Sequence, residues 1–309
     1  MQRRNFLHQG ILGSAAVLAG TPPVTAAAKA FKSDNKAGKS FTCDYAPHFG
    51  MFENSAGKDL IDQLKYMHDQ GFRSLEDNGM MGRPADVQEK IGKELNRLGM
   101  RMGVFVIDGG DSWKTSLTTG KKEFTDNFVA TCKKAVEVAK RCNAKWATFV
   151  PGYYERKLPT DIQSAHVVTA LRKATEIFEP QGLVMVLEPL SDNPDLFLRT
   201  SNQGFMVCNA VNSPSCKILF DIYHMQRNEG DLIMNIDAAW DEIGYIQIGD
   251  NPGRNEPGTG EINYKNVFRH LHKKGYKGIF GMEHGKSKDG KEGELALVQA
   301  YREADSFAI

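Results

Sequence analysis

The sequence predicts a single (β/α)8 TIM-type barrel behind an N-terminal export signal. Three observations carry this. Eight short apolar, strand-like runs alternate with helix-like stretches. Several helical stretches end at a glycine just ahead of the next run. Acidic or amide side chains stand at the ends of the last four runs, the place where such a barrel carries its chemistry.

The first thirty residues have a basic start, a short apolar stretch from Ile11 to Ala19 and small residues from Ala26 to Ala30, the layout of a secretory leader. Arg3–Arg4 followed by Asn5, Phe6 and Leu7 resembles a twin-arginine signal. The expected organisation is a signal peptide over 1–30, a flexible lead over 31–39 and a barrel over 40–309, with a periplasmic or exported destination. The apolar stretch is too short for a comfortable membrane span, so no stable span is expected once the leader is cleaved.

The strand-like runs are Phe41–Tyr45, Ser74–Glu76, Met102–Ile107, Trp146–Val150, Val184–Leu187, Ile218–Phe220, Tyr245–Ile248 and Ile279–Met282. Between them "KDLIDQLKYMHDQG", "PADVQEKIGKELNRLG", "DNFVATCKKAVEVAKRC", "QSAHVVTALRKATEIFEPQG" and "NYKNVFRHLHKKG" place apolar residues at helical spacing. An open doubly wound sheet wants a glycine-rich fingerprint after its first strand, and "TCDYAPHFG" is not one. "GTGEIN", 258–263, lacks nucleotide-binding spacing and reads as a turn, with Asn263 capping the next helix.

Composition fits a soluble globular chain: 41% hydrophobic, 25% charged, formal net charge +1. No basic stripe interleaved with aromatics points to nucleic acid. Five cysteines without a C-x-x-C form neither a disulfide framework nor a zinc site. They read as small buried hydrophobes, in a chain that folds in the reducing cytoplasm before export.

Glu188, Asp221, Gln247 and Glu283 end the last four runs at spacings of 33, 26 and 36 residues, about one βα unit each. Three carboxylates converging on one point repel one another unless a cation relieves them. Three carboxylates and an amide oxygen favour a hard divalent ion, Mg²⁺ or Mn²⁺, over Zn²⁺. Glu76, Asp77, Asp108, Asp111 and His48 sit on the expected rim without a catalytic assignment. The loop "PGYYERKLPTD", 151–161, is long enough to lie over the mouth and bring Tyr153, Tyr154 or Arg156 to a substrate.

"LEPL", "FDIYHMQR", "YIQIGDNPGRNEPGTGEINY" and "GMEHG" resemble the hydroxypyruvate isomerase group of the xylose isomerase-like TIM barrels. The resemblance spans about residues 40–300 and is densest from Glu188 onward. It implies that Glu188, Asp221, Gln247 and Glu283 are metal ligands and that Glu188 and Glu283 move protons. It also implies that His224 hydrogen-bonds a substrate oxygen and that Arg254 holds another oxygen or a carboxylate. The expected reaction is aldehyde–ketone isomerisation of a small hydroxy-carbonyl compound, such as hydroxypyruvate or tartronate semialdehyde, through an enediolate. The alternatives are a ketose 3-epimerase or a lyase on a keto sugar with the same site, and a non-catalytic sugar-binding protein. A multi-zinc endonuclease would want histidines where this chain has acids and glycines. The expected partner is a small sugar or hydroxy-keto acid; the sequence leaves a homo-oligomer open.

Overall fold

The computed structural model describes residues 38–307; the expected leader and most of the expected flexible lead lie outside that range. Eight strands occur among the described residues: β1 (Asp44–Ala46), β2 (Ser74–Leu75), β3 (Arg101–Met102), β4 (Trp146–Phe149), β5 (Val184–Leu187), β6 (Cys216–Asp221), β7 (Ile243–Ile248) and β8 (Ile279–Met282). Six form one parallel sheet in the order β1-β8-β7-β6-β5-β4, and β2 pairs with β3. Parallel bridges His48–Glu76, Met102–Ala144 and Val106–Thr148 join that pair to both edges of the sheet and complete the ring.

Five helices fall where the apolar spacing puts them: Leu60–Asp69, Ala85–Leu98, Lys122–Cys142, Thr160–Phe178 and Tyr264–Lys273. Asp59 caps the first by accepting from the Ile61 and Asp62 N–H groups at 2.9 and 3.0 Å. Gly99 ends the second in the left-handed region, φ 65°. No helix among the described residues is long and apolar enough to cross a membrane. The five cysteines are buried free thiols.

Strands β5 and β8 match their predicted runs, β2, β4, β6 and β7 differ from theirs by one or two residues at one or both ends, and β1 and β3 need larger correction. The first was expected at Phe41–Tyr45 but starts at Asp44, because the Thr42 and Cys43 N–H groups donate to the Asp305 carboxylate (2.6 and 3.0 Å) and not to a strand. The third was expected at Met102–Ile107, but its regular ladder ends at Met102. Gly103 then passes beneath the Tyr245 hydroxyl, where a Cβ would lie 2.4 Å from the oxygen. Backbone bonds continue past Met102, Gly103 N–H donating to Leu75 O at 2.7 Å and Thr148 N–H to Phe105 O at 2.8 Å.

Side chains alternate across a strand with period two. Val186, Leu219, Tyr245 and Ile279 pack together with Ala46 and Val104 in one buried cluster. Glu188, Asp221 and Gln247 each stand two residues beyond one of these, and Glu283 stands four beyond Ile279. The inner face of the ring is therefore apolar below and acidic at the C-terminal end of its strands. The opposite faces, with Leu187, Phe220, Ile246 and Phe280, pack in the larger core that includes the helices.

Candidate active site

Asp221 ends β6 and caps the helix Ile222–Asn228, its Oδ1 accepting from the Tyr223 and His224 N–H groups at 2.7 and 3.4 Å. Those bonds and the Arg254 guanidinium, 3.2 Å from Oδ2, offset the cost of a fully buried carboxylate. Arg254 Nη2 also donates to Glu283 Oε2 at 2.6 Å, and Asn78 donates to Glu283 Oε1 at 2.7 Å. Glu188 Oε1 is buried without a hydrogen-bond partner. One atom each from Glu188, Asp221, His224 and Glu283 lies within 4.8 Å of the others. Gln247 stands beside Asp221 in the β6–β7 register and beside Gly281 in the β7–β8 register. Its Nε2 donates to Glu76 Oε1 at 2.6 Å, while its Oε1 is buried and unpaired.

Crowding and burial make these groups hard to ionise. Burial, then the neighbouring Glu283 and Asp221 charges, push the Glu188 carboxyl well above the usual range. Burial raises Glu283 to about 7, with Arg254 opposing. Burial raises Asp221 as well, again against Arg254. Orphaned buried oxygens in a ring of carboxylates fit a hard divalent cation: Glu188 Oε1 and Gln247 Oε1 are acceptors with nothing to accept from.

His224 is held differently. The Ser191 N–H donates to its Nδ1 at 3.1 Å, with Ser191 Oγ also 2.8 Å away. A backbone N–H can only donate, so Nδ1 is the lone-pair nitrogen and Nε2 bears the proton. Burial and then Arg254 lower the His224 pKa to about 3, keeping the ring neutral. Nε2 stands 3.6 to 3.9 Å from Asp221, Asp192 and Glu188 without a hydrogen bond. This tautomer makes Nε2–H a donor, which suits a substrate oxygen and not a metal ion. The oxygen set with Gln247 is therefore a better ligand set than one with His224.

A cavity of about 190 Å³ opens above these groups, lined by Glu188, Glu283, His224 and Arg254 and walled by Asn78, Ser112, Trp113, Thr148 and Asp192. The 151–161 loop does not line it. Tyr153, Tyr154 and Arg156 border a separate surface depression, and Arg156 pairs with Asp195. Asp108 and Asp111 are tied to the Gly110 N–H and the Asn127 amide, both at 2.7 Å. Asn78, Asp192, Trp113 and Thr148 were not singled out in the sequence. None of them belongs to a motif or a spacing that would mark it.

A family model for the xylose isomerase-like TIM barrel matches residues 64–304. The chain belongs to the xylose isomerase-like TIM barrel family. Hydroxypyruvate isomerase of Escherichia coli K12 is 33% identical over 184 residues, covering 59% of this chain and 69% of that protein. A 2-oxo-tetronate isomerase of Pectobacterium atrosepticum is 28% identical over 240 residues, 75% of this chain and 89% of that one. The crystal structure of a family 2 AP endonuclease from Brucella melitensis superposes with a TM-score of 0.72 at 23% identity, covering 84% of this chain and 99% of that one. At that identity the match speaks to the fold.

In this xylose isomerase-like barrel the loop after β7 is organised by Asp250, a residue that no sequence motif marks. Its fully buried carboxylate accepts from the N–H groups of Gly258 (2.8 Å), Gly260 (2.9 Å) and Ile262 (3.1 Å). Gly260 is needed there, since a Cβ would sit 2.0 Å from Asn251 O. Asn263 caps the next helix as expected, accepting from the Asn266 N–H at 3.1 Å. The same loop presents Arg254, held at φ 50° by its N–H donating to Asp250 O at 2.7 Å. Asp250→Ala leaves the buried Ile262 N–H and two partly exposed N–H groups, those of Gly258 and Gly260, without their acceptor; a buried orphan donor costs about 1–3 kcal/mol. Thermal melts should show a clear loss of stability, and Arg254 should leave Asp221 and Glu283. An unchanged melt would mean that the loop is held elsewhere.

Proposed function

We propose that this chain is a divalent-metal-dependent isomerase that interconverts the ketone and aldehyde forms of a small hydroxy-keto acid, hydroxypyruvate and tartronate semialdehyde being the type pair. The observation that carries the reading is the pair Glu188 and Glu283 beneath one small cavity, with the orphaned oxygens of Glu188 and Gln247 beside them. Both relatives named above are isomerases of small oxo acids. The cavity lies below the ~300–1,000 Å³ usual for drug-sized ligands, which favours a compact substrate over a glycoside.

Glu188, Asp221, Gln247 and Glu283 would hold Mg²⁺ or Mn²⁺, which when bound polarises the substrate carbonyl and steadies negative charge on its oxygen. The rest is work for the chain. Glu188 takes a proton from the hydroxymethylene carbon of the ketone form. The C–H electrons become the C=C bond of an enediolate, and the carbonyl electrons move to oxygen. Glu283 enters the step protonated and gives that proton to the neighbouring carbon, the former ketone carbon; the proton left on Glu188 exchanges with solvent, and Glu283 takes one up, before the next turnover. The proton on the original hydroxyl passes to the other oxygen, and no external oxidant is involved. His224 Nε2–H donates to the oxygen that gains charge. Arg254, on the cavity wall, pairs with the substrate carboxylate.

The leader motif and the reduced, buried cysteines support export after folding in the cytoplasm. Fractionating cells that carry the full chain and an Arg3→Lys/Arg4→Lys variant tests this: the variant should stay in the cytoplasm.

The reaction is tested by proton NMR in D₂O with Mg²⁺. Deuterium should enter the hydroxymethylene carbon of hydroxypyruvate faster than in a Glu188→Gln control, and the hydroxyl-bearing carbon of tartronate semialdehyde faster than in a Glu283→Gln control. Exchange confined to ketoses, with a 3-epimer as product, would overturn the acid substrate in favour of an epimerase. No exchange on any of them would overturn the isomerase reading.

A further inference from the structure

We infer that Glu76, at the end of β2, is a positioning residue that fixes the orientation of the Gln247 side-chain amide, so that Oε1 and not Nε2 faces the ring of carboxylates. The inference rests on the metal site proposed above. An amide's two ends are nearly the same shape and opposite in polarity. Turned over, Gln247 would present an N–H₂ group to a dication.

Glu76 prevents that turn. Its Oε1 accepts from Gln247 Nε2 at 2.6 Å and its Oε2 accepts from the Tyr245 hydroxyl at 3.1 Å. A flipped amide would set oxygen against oxygen at the first contact. The ionised carboxylate holds this orientation, and so does the neutral form with its proton on Oε2, shared with Tyr245, since Oε1 is then still an acceptor.

The surroundings are built for this side chain. Glu76 is 2% exposed and does not line the cavity, so it does not touch substrate. No Lys or Arg pairs with it among the described residues. Gly281 makes room on β8, where a Cβ would lie 1.8 Å from Glu76 Oε2, and Gly103 makes room for the Tyr245 hydroxyl. A carboxylate buried without a cation costs stability, and two open glycine positions accommodate it. What it contacts is the one uncharged member of the oxygen set.

The test is Mn²⁺ binding by calorimetry, with thermal melts to check folding. Losing an outer partner of a metal ligand typically weakens binding about 10–100-fold. Glu76→Leu should show a loss of that size. Glu76→Gln should stay within about threefold of the parent, since its amide oxygen replaces Oε1 and its N–H₂ faces the Tyr245 oxygen. If Glu76→Leu does not fold, Gln247→Glu and the double variant Glu76→Gln/Gln247→Glu decide the matter. The single places two carboxylates in contact; the double restores a donor and should bind Mn²⁺ more tightly than the single. Parent-like binding by Glu76→Leu, or equal losses in the Leu and Gln variants, would overturn the orientation role and leave the metal site standing. A single variant binding at least as tightly as the double would do the same. A parent protein that binds no Mn²⁺ would overturn the metal reading itself.

Discussion

Glu283→Gln is expected to lower kcat by about 10³-fold while the barrel stays folded, because general acid–base catalysis by one positioned group contributes about 10²–10⁴-fold. The substitution keeps shape and removes charge. The amide oxygen can still accept from Asn78 or Arg254, whose bonds to Glu283 are 2.7 and 2.6 Å long. Arg254 keeps its second anchor on Asp221 at 3.2 Å. Burial already disfavours the charged form of Glu283, so a neutral side chain should leave the metal-free melt unchanged or slightly higher. Steady-state kinetics and a thermal melt on the same preparation check both halves. Near-parental turnover with a normal melt would remove Glu283 from the chemistry.

Much of this was legible in the sequence, for a physical reason. Strand alternation and the βα repeat length fix where a strand-end residue points. Spacing alone therefore puts Glu188, Asp221, Gln247 and Glu283 at strand ends; the structure brings one oxygen each of Glu188, Asp221 and Glu283 within 4.8 Å of one another and sets Gln247 beside Asp221 in the strand register. His224 comes from the resemblance of the "FDIYHMQR" stretch, and the structure seats it one helical turn beyond the capping Asp221. The illegible parts depend on tertiary packing. Glu76 reads as one acid among several on a rim; only the ring brings it against Gln247 and Tyr245, residues about 170 positions away. Asp250 is lost inside a glycine-rich stretch, and its meaning appears once Gly258, Gly260 and Ile262 turn their N–H groups toward it. The helices Ser201–Val211 and Leu232–Ala239 were not predicted, since their apolar residues run together without a clean polar face.

Removing divalent ions should abolish activity and expose the strain in the acid ring as a pH-dependent loss of stability. Burial raises Glu188, Asp221 and Glu283, the last from an ordinary 4.5 to about 7. The folded, metal-free chain then holds protons at this site more tightly than the unfolded chain. Stability rises with pH only where the unfolded state binds more protons; here the folded state does. The site's contribution is therefore most favourable below pH 4.5 and falls as pH rises through about 7. A dication reverses this by stabilising the charged carboxylates. The melting difference between chelated and Mg²⁺-loaded protein should be small at mildly acidic pH and widen toward alkaline pH. At 100 times Kd a ligand adds about 2.7 kcal/mol, or about 5–10 °C for a chain of this size. Differential scanning calorimetry in EDTA and in Mg²⁺, across pH, measures it without reference to turnover. A difference that narrows as pH rises, or activity that survives thorough chelation, would mean that the four oxygen ligands hold no catalytic metal and that Arg254 alone balances the ring.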